Sequence, residues 1–192
     1  MKVQLAEYKQ MIAALRPVYT AAGDGTDVIL INGDVLHDRR RIRSVRQALA
    51  RVYAVDLVAA RQYYRKLLGQ ANAIPLPLSA KLILCPTKMR RPRCPGDFTL
   101  GYVSYRQVVG VEGYSKGDYR SRVLLRNGAI LLSLNRVTIL KKRLALARFV
   151  EGHYLEAQGL MAQGASYGLA TREAFVLLET KLDLLLERMG AQ

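Results

Sequence analysis

The sequence predicts an α+β fold, an N-terminal helical part followed by a mostly antiparallel β-sheet with C-terminal helices. Three observations carry this. Apolar residues recur at helical spacing between 39 and 69, as Ile42, Val45 and Leu49 and then Leu57, Ala60, Tyr64 and Leu67 or Leu68. Two Asn-Gly pairs, Asn32-Gly33 and Asn127-Gly128, sit between short apolar runs in the manner of β-hairpins. Between these regions lies QANAIPLPLSA, residues 70–80, an extended stretch with Pro75 and Pro77. It predicts a division into residues 1–73 and residues 74–192.

Taken in order, VQLAEYKQMIAALR reads as a helix with Leu5, Tyr8, Met11, Ile12 and Leu15 on one face, ended by Pro17. GDGTD, residues 23–27, lacks the D-x-D-x-T segment of a haloacid-dehalogenase-type phosphatase and reads as a turn. DVILI and DVLHD flank the first Asn-Gly. The helical region 39–69 breaks at Tyr-Ala-Val-Asp, where Asp56 can cap a second helix that Gly69 ends. That pair resembles a helix-turn-helix, whose second helix would carry Arg61, Arg65 and Lys66 to base edges; an ordinary helical hairpin would show the same spacing.

KLILC reads as a strand, followed by the loop KMRRPRCPG and by TLGYVSYRQVVGVEG, one or two strands. In YRSRVLLRNGAILLSL, a two-residue type I′ turn would put Val123, Leu125, Ile130, Leu132 and Leu134 on a buried face. Arg120, Arg122, Leu124, Arg126, Leu131 and Ser133 would then form the other, a basic ladder. Asn135 can cap a helix with Ile139, Leu140, Leu144, Ala147 and Val150 inward. A last amphipathic helix is expected from Thr171, with Phe175, Leu178, Leu182 and Leu185 or Leu186 available for the core or a second subunit.

Charge narrows the partner. The chain of 192 residues has 30 Lys plus Arg against 15 Asp plus Glu, net +15. Residues 39–148 hold 24 of the cations, 18 of them arginine, against four acids: Asp56, Asp97, Glu112 and Asp118. A positive segment between two acidic ends points to a polyanion, nucleic acid above all. The expected contacts are Lys88, Arg90, Arg91 and Arg93 on the loop, Arg120, Arg122 and Arg126 on the hairpin, Arg136, Lys141 and Lys142 on the helix behind it, and the three cations of the helix pair. Pro92 and Pro95 restrict the loop, so less entropy is lost when it docks.

Enzyme chemistry finds little footing. His37 and His153 are isolated, and Cys85 and Cys94 have eight residues between them and no second pair. No phosphate-cradling glycine motif is present. No cofactor, metal or small-molecule substrate is therefore expected. No apolar run approaches the ~20 residues of a membrane span, and MKVQLAEYKQ has no signal-peptide core, so the cytoplasm is the expected location.

The order of features resembles the ComK competence transcription factor family over roughly residues 28–150. The resemblance rests on Ser44, Tyr53 and Arg61, on IPLPLS and LILCPT, on RRPRCPG, and on LLRNGAILLSLNRVTILKKRLALARF. The hairpin and following helix are also similar to LytTR DNA-binding domains. Both resemblances imply promoter binding to double-stranded DNA; the first implies A·T-rich sites read through the minor groove by a homo-oligomer. A different reading remains open, an RNA-binding or ribosome-associated protein in which Tyr63, Tyr64, Tyr102, Tyr105, Tyr114 and Tyr119 would stack on bases.

Overall fold

The computed structural model describes residues 2–21 and 23–158; the helix expected from Thr171 lies outside them. Within these residues the fold is α+β. Nine strands, all paired antiparallel, form two sheets accompanied by three helices.

The larger sheet has six strands: β1 (Ile12–Thr20), β2 (Gly23–Leu30), β3 (Val35–Asp38), β4 (Leu76–Ser79), β5 (Leu82–Lys88) and β6 (Leu100–Ser104), in the order β3-β2-β1-β6-β5-β4. The smaller sheet is β7 (Val108–Lys116), β8 (Tyr119–Leu125) and β9 (Ile130–Ser133). The helices are α1 (Ile42–Val52), α2 (Leu57–Leu68) and α3 (Val137–Ala157).

The N-terminal part opens on β-structure, β1 to β3, ahead of its two helices. The helix expected over residues 3–16 does not form: residues 12–20 are β1, and Pro17, expected to end the helix, lies within the strand. Leu5, Ile12 and Leu15 do share one core, but through the sheet. β1 is central and buried on both faces, so it shows a continuous apolar run instead of alternation. Its pairing with β6 covers only Ala14 and Leu15, so Pro17 removes no donor from that ladder. Because β1 pairs with β6, one sheet crosses the boundary expected at 73/74, and the compact unit runs from Met1 to Tyr154.

The two faces of the large sheet carry different partners. On one, Leu15, Val28, Leu30, Leu84 and Tyr102 pack against Ile42, Val45 and Leu49 of α1. On the other, Ala14, Ile29 and Val103 meet Val123, Leu125 and Leu131 of the small sheet and Leu140 of α3. Beside that core, Ile83 and Cys85 pack with Tyr64 of α2 and Ala147 and Val150 of α3. Burial pushes the free Cys85 thiol up to about 12.

The helix boundaries follow their caps. Asp56 accepts from the backbone N–H of Val58 (2.8 Å) and Ala59 (3.2 Å), and Gly69 closes α2 at φ +62°. The stripe of α1 and Tyr64 of α2 go to opposite faces of the sheet. Only Leu57, at the start of α2, touches the α1 cluster, while Tyr64, Leu67 and Leu68 lie on the other, so the pair carries the chain from one face to the other.

Both Asn-Gly turns make hairpins, with three-residue loops. Leu125 N donates to Ala129 O (2.9 Å) and Gly128 N to Leu125 O (3.0 Å), with positive φ at Gly128 and not at Asn127. A type I′ turn would require both residues there, so this is a type I turn closed by a glycine bulge. The extra residue shifts the register by one and turns β9 over: Leu131 is 1% exposed and Ile130 50%. The expected inward Ile130 and Leu132 therefore face outward, and Leu131 and Ser133 face the core.

Candidate nucleic-acid interface

The loop KMRRPRCPG joins β5 to β6, and its fold is fixed by the residues between its cations. Arg90 is buried. Its Nη2 donates to Asp24 Oδ1 (2.5 Å), its Nε to Phe98 O (2.9 Å), and its guanidinium lies 3.8 Å from the centroid of the Tyr19 ring. Tyr19 is held on its other contacts too: its hydroxyl donates to Asp97 Oδ2 (2.5 Å), and the Arg93 guanidinium stands 4.3 Å from its ring centroid. Asp97 also accepts from the backbone N–H of Arg93 and Cys94, both at 3.0 Å. The Tyr19 hydroxyl and then the Cys94 N–H hold the Asp97 carboxyl below its usual range. Burial, followed by the bond to Asp97, pushes the Tyr19 phenol up. The loop is thus preorganised around Tyr19, and Arg91, Arg93 and Cys94 remain exposed on it.

Other connections reach the same end of the molecule. Arg91 Nη2 meets Asp118 Oδ1 of the β7–β8 turn at 2.6 Å, which brings Lys116 and Arg120 close. Lys88 N donates to Asn135 Oδ1 (2.9 Å), Lys88 O accepts from Leu134 N (2.9 Å) and Ser133 Oγ (3.0 Å), and Arg136 follows directly. Asn135 was expected to cap α3; its Oδ1 instead serves Lys88 N and Arg143 Nη1 (3.0 Å), while Arg143 also donates to Pro86 O (2.9 Å).

The β3–α1 connection arrives there as well. Asp38 pairs with Thr26, and Thr26 with Pro17, so β3 ends beside the end of β1 that bears Tyr19. Arg39, Arg41 and Arg43 follow and are exposed, with no acid in the first turn of α1. The Arg43 guanidinium lies 5.9 Å from the Phe98 ring centroid. Sequence reasoning missed these three as contacts. Their signal was the run RRRIR, which acquires a location only once β3 is known to end at Asp38.

The acids at this end are largely consumed. Asp24 holds Arg90, Asp118 holds Arg91, and Asp97 holds the loop backbone. Asp38 is wholly buried and binds Val3 N (3.0 Å), Arg40 N (2.8 Å) and the Arg40 guanidinium (2.5 Å). Burial alone would raise its carboxyl, but the Arg40 bonds win and hold it low.

Several expected contacts fall elsewhere. Arg90 is a buried anchor of the loop, not an exposed contact. Arg122 faces outward on β8 but its Nη2 pairs with Glu112 Oε2 at 2.6 Å. Arg126 belongs to the opposite end: Asn127 Nδ2 donates to Leu30 O (2.6 Å), six residues along β2 from Asp24, or about 20 Å. The three-arginine ladder thus reduces to Arg120. Arg61, Arg65 and Lys66 are exposed on α2, whose neighbouring Tyr63 hydroxyl meets His153 at 3.2 Å. His153 is about 24 Å along α3 from its start, so the α2 cations form a separate group. Lys141 and Lys142 lie on the first turns of α3, the former exposed and the latter half-buried.

No family model, curated protein or solved structure matches this chain. Among the described residues no helix is long and apolar enough to cross a membrane.

Proposed function

We propose that this chain is a DNA-binding transcription regulator of the ComK-like kind, which reads A·T-rich duplex as a homo-oligomer. The observation that carries the reading is the convergence of Lys88, Arg91, Arg93, Arg120, Arg136 and the arginines before α1 at one end, around a loop whose backbone is already fixed. Phosphates are met by the surrounding cations. Arg93, and Arg91 once it exchanges Asp118 for the duplex, are the groups that enter the groove, where a planar, weakly hydrated guanidinium is favoured over an ammonium. The order of sequence features shared with the ComK family supports the same reading.

The RNA alternative asks for exposed aromatic platforms. Tyr64 and Tyr102 are buried, the Tyr105 hydroxyl is bonded to Glu151, and the exposed Tyr63 stands beside His153, away from the basic end, which favours duplex over single strands.

Selection of bound duplexes from a random library at moderate salt tests the proposal. An enriched A·T-rich motif with two spaced half-sites, and an affinity that falls steeply with salt, is the expected result. Absence of any enriched duplex, or tighter retention of single-stranded RNA, refutes it.

A further inference from the structure

The basic end is built in three layers. Arg39, Arg41 and Arg43 lead into α1, which covers one face of the large sheet. The β5–β6 loop with Arg91 and Arg93 extends the sheet itself. Arg120 and Arg136 belong to the small sheet and the start of α3, which cover the other face. Packed layers stand about 10 Å apart, so the outer groups are roughly 20 Å from each other. A minor groove is about 6 Å wide and a major groove about 12 Å, so arginines rooted in the outer layers reach inward along their side chains to the phosphates that border the groove.

From this spacing we infer that the protein straddles a duplex. The loop faces the groove, Arg39, Arg41 and Arg43 contact phosphates of one strand, and Arg120 and Arg136 contact phosphates of the other. The inference rests on the duplex-binding reading above and adds to it which residues serve which strand. Charge favours this occupant. Among the described residues, Arg39, Arg41, Arg120 and Arg136 make no side-chain hydrogen bond or ion pair within the chain. A polyanion with two parallel lines of charge supplies partners to both groups at once. A flat anionic surface would meet them too, so anionic lipid vesicles serve as the comparison.

The probe is an A·T-rich duplex of about 20 base pairs, two helical turns, titrated with the full chain over a range of salt. The slope of log affinity against log salt should weaken by about 2–3 for Arg39→Ala/Arg41→Ala/Arg43→Ala and by about 2 for Arg120→Ala/Arg136→Ala, with A·T preference retained in both. On a duplex holding a single half-site, about 10 base pairs or one helical turn, neutral methylphosphonate linkages on one strand should abolish the effect of one variant and leave the other's intact. If the triple variant does not fold, Arg41→Ala alone should weaken the slope by about 1. A triple variant with the parent's slope, or both effects vanishing with the same strand, overturns the straddled geometry while duplex binding stands. A parent that binds only vesicles overturns the duplex reading itself.

Discussion

Replacing Arg90 by alanine separates holding the loop from binding through it. The Arg90 and Asp24 side chains are 9% and 7% exposed, and each has one buried polar atom, Arg90 Nη1 and Asp24 Oδ2, without a partner among the described residues. Truncation strands the Asp24 carboxylate in that setting and removes the cation stacked on Tyr19. Loss of one member of a buried pair costs about 3–5 kcal/mol, and the stacked cation is part of the same total. With a urea dependence of about 2 kcal/mol per molar, the unfolding midpoint should fall by roughly 2 M. Arg90→Met with Asp24→Asn removes both charges while keeping the volume, and should restore most of the loss. The same double variant should bind duplex with the parent's salt slope. A midpoint shift below about 0.5 M for Arg90→Ala, or a double variant no more stable than the single one, refutes the buried anchor. A slope weaker by about 0.9 in a restored double variant would make Arg90 a phosphate contact.

Leu131→Ala should cost about 2–5 kcal/mol and Ile130→Ala less than about 1 kcal/mol, read from urea unfolding, because the bulged turn buries the former; reversed magnitudes would restore a two-residue turn. Gly101→Ala should lower stability by about 1–3 kcal/mol, since a Cβ there would lie 2.7 Å from Leu15 O and against Met89; calorimetry on a folded variant with unchanged melting would contradict that contact. The Asp38 carboxyl is held below its unfolded value of about 3.9, so its stabilisation is complete above that pH and lost as pH falls through the lower folded value. Asp38→Asn should therefore be less stable than the parent at neutral pH, with the gap narrowing below about pH 4; a gap independent of pH would remove the charge from the explanation.

Legibility in the sequence tracked how local each determinant is. The stripe of α1, the Asp56 cap and Gly69 were readable because one turn of helix suffices to define each. The hairpins at Gly33 and Gly128 were readable as hairpins, but loop length depends on which residues take positive φ, and one residue of difference inverted β9. β1 misled because Leu5, Ile12 and Leu15 satisfy a helical period as well as a buried strand does. The cations of the loop were identified as a group, yet their separation into Arg90, which turns inward to Asp24, and Arg91 and Arg93, which remain outside, depends on partners more than 60 residues away in sequence. Arg122 and Arg126 left the expected ladder for the same kind of reason, a cross-strand acid and a turn at the far end.

The concentration of charge at one end is a consequence of antiparallel pairing. Each strand carries the chain from one end of a sheet to the other, so successive connections alternate between ends. At the end bearing Tyr19 lie the β1–β2 connection, which carries no cation, and the β3–α1, β5–β6, β7–β8 and β9–α3 connections, whose sequences hold RRRIR, KMRRPR, KGDYR and NR. At the other lie the β2–β3, β4–β5 and β8–β9 connections, with NGD, AK and RNG. Arg106, between β6 and β7, is taken by Glu151. The dense arginine runs therefore occupy the set of connections that the pairing order brings together. A basic stretch of the same composition placed in the other set would give the same net charge, but with its cations divided between opposite ends of the unit and no single basic surface.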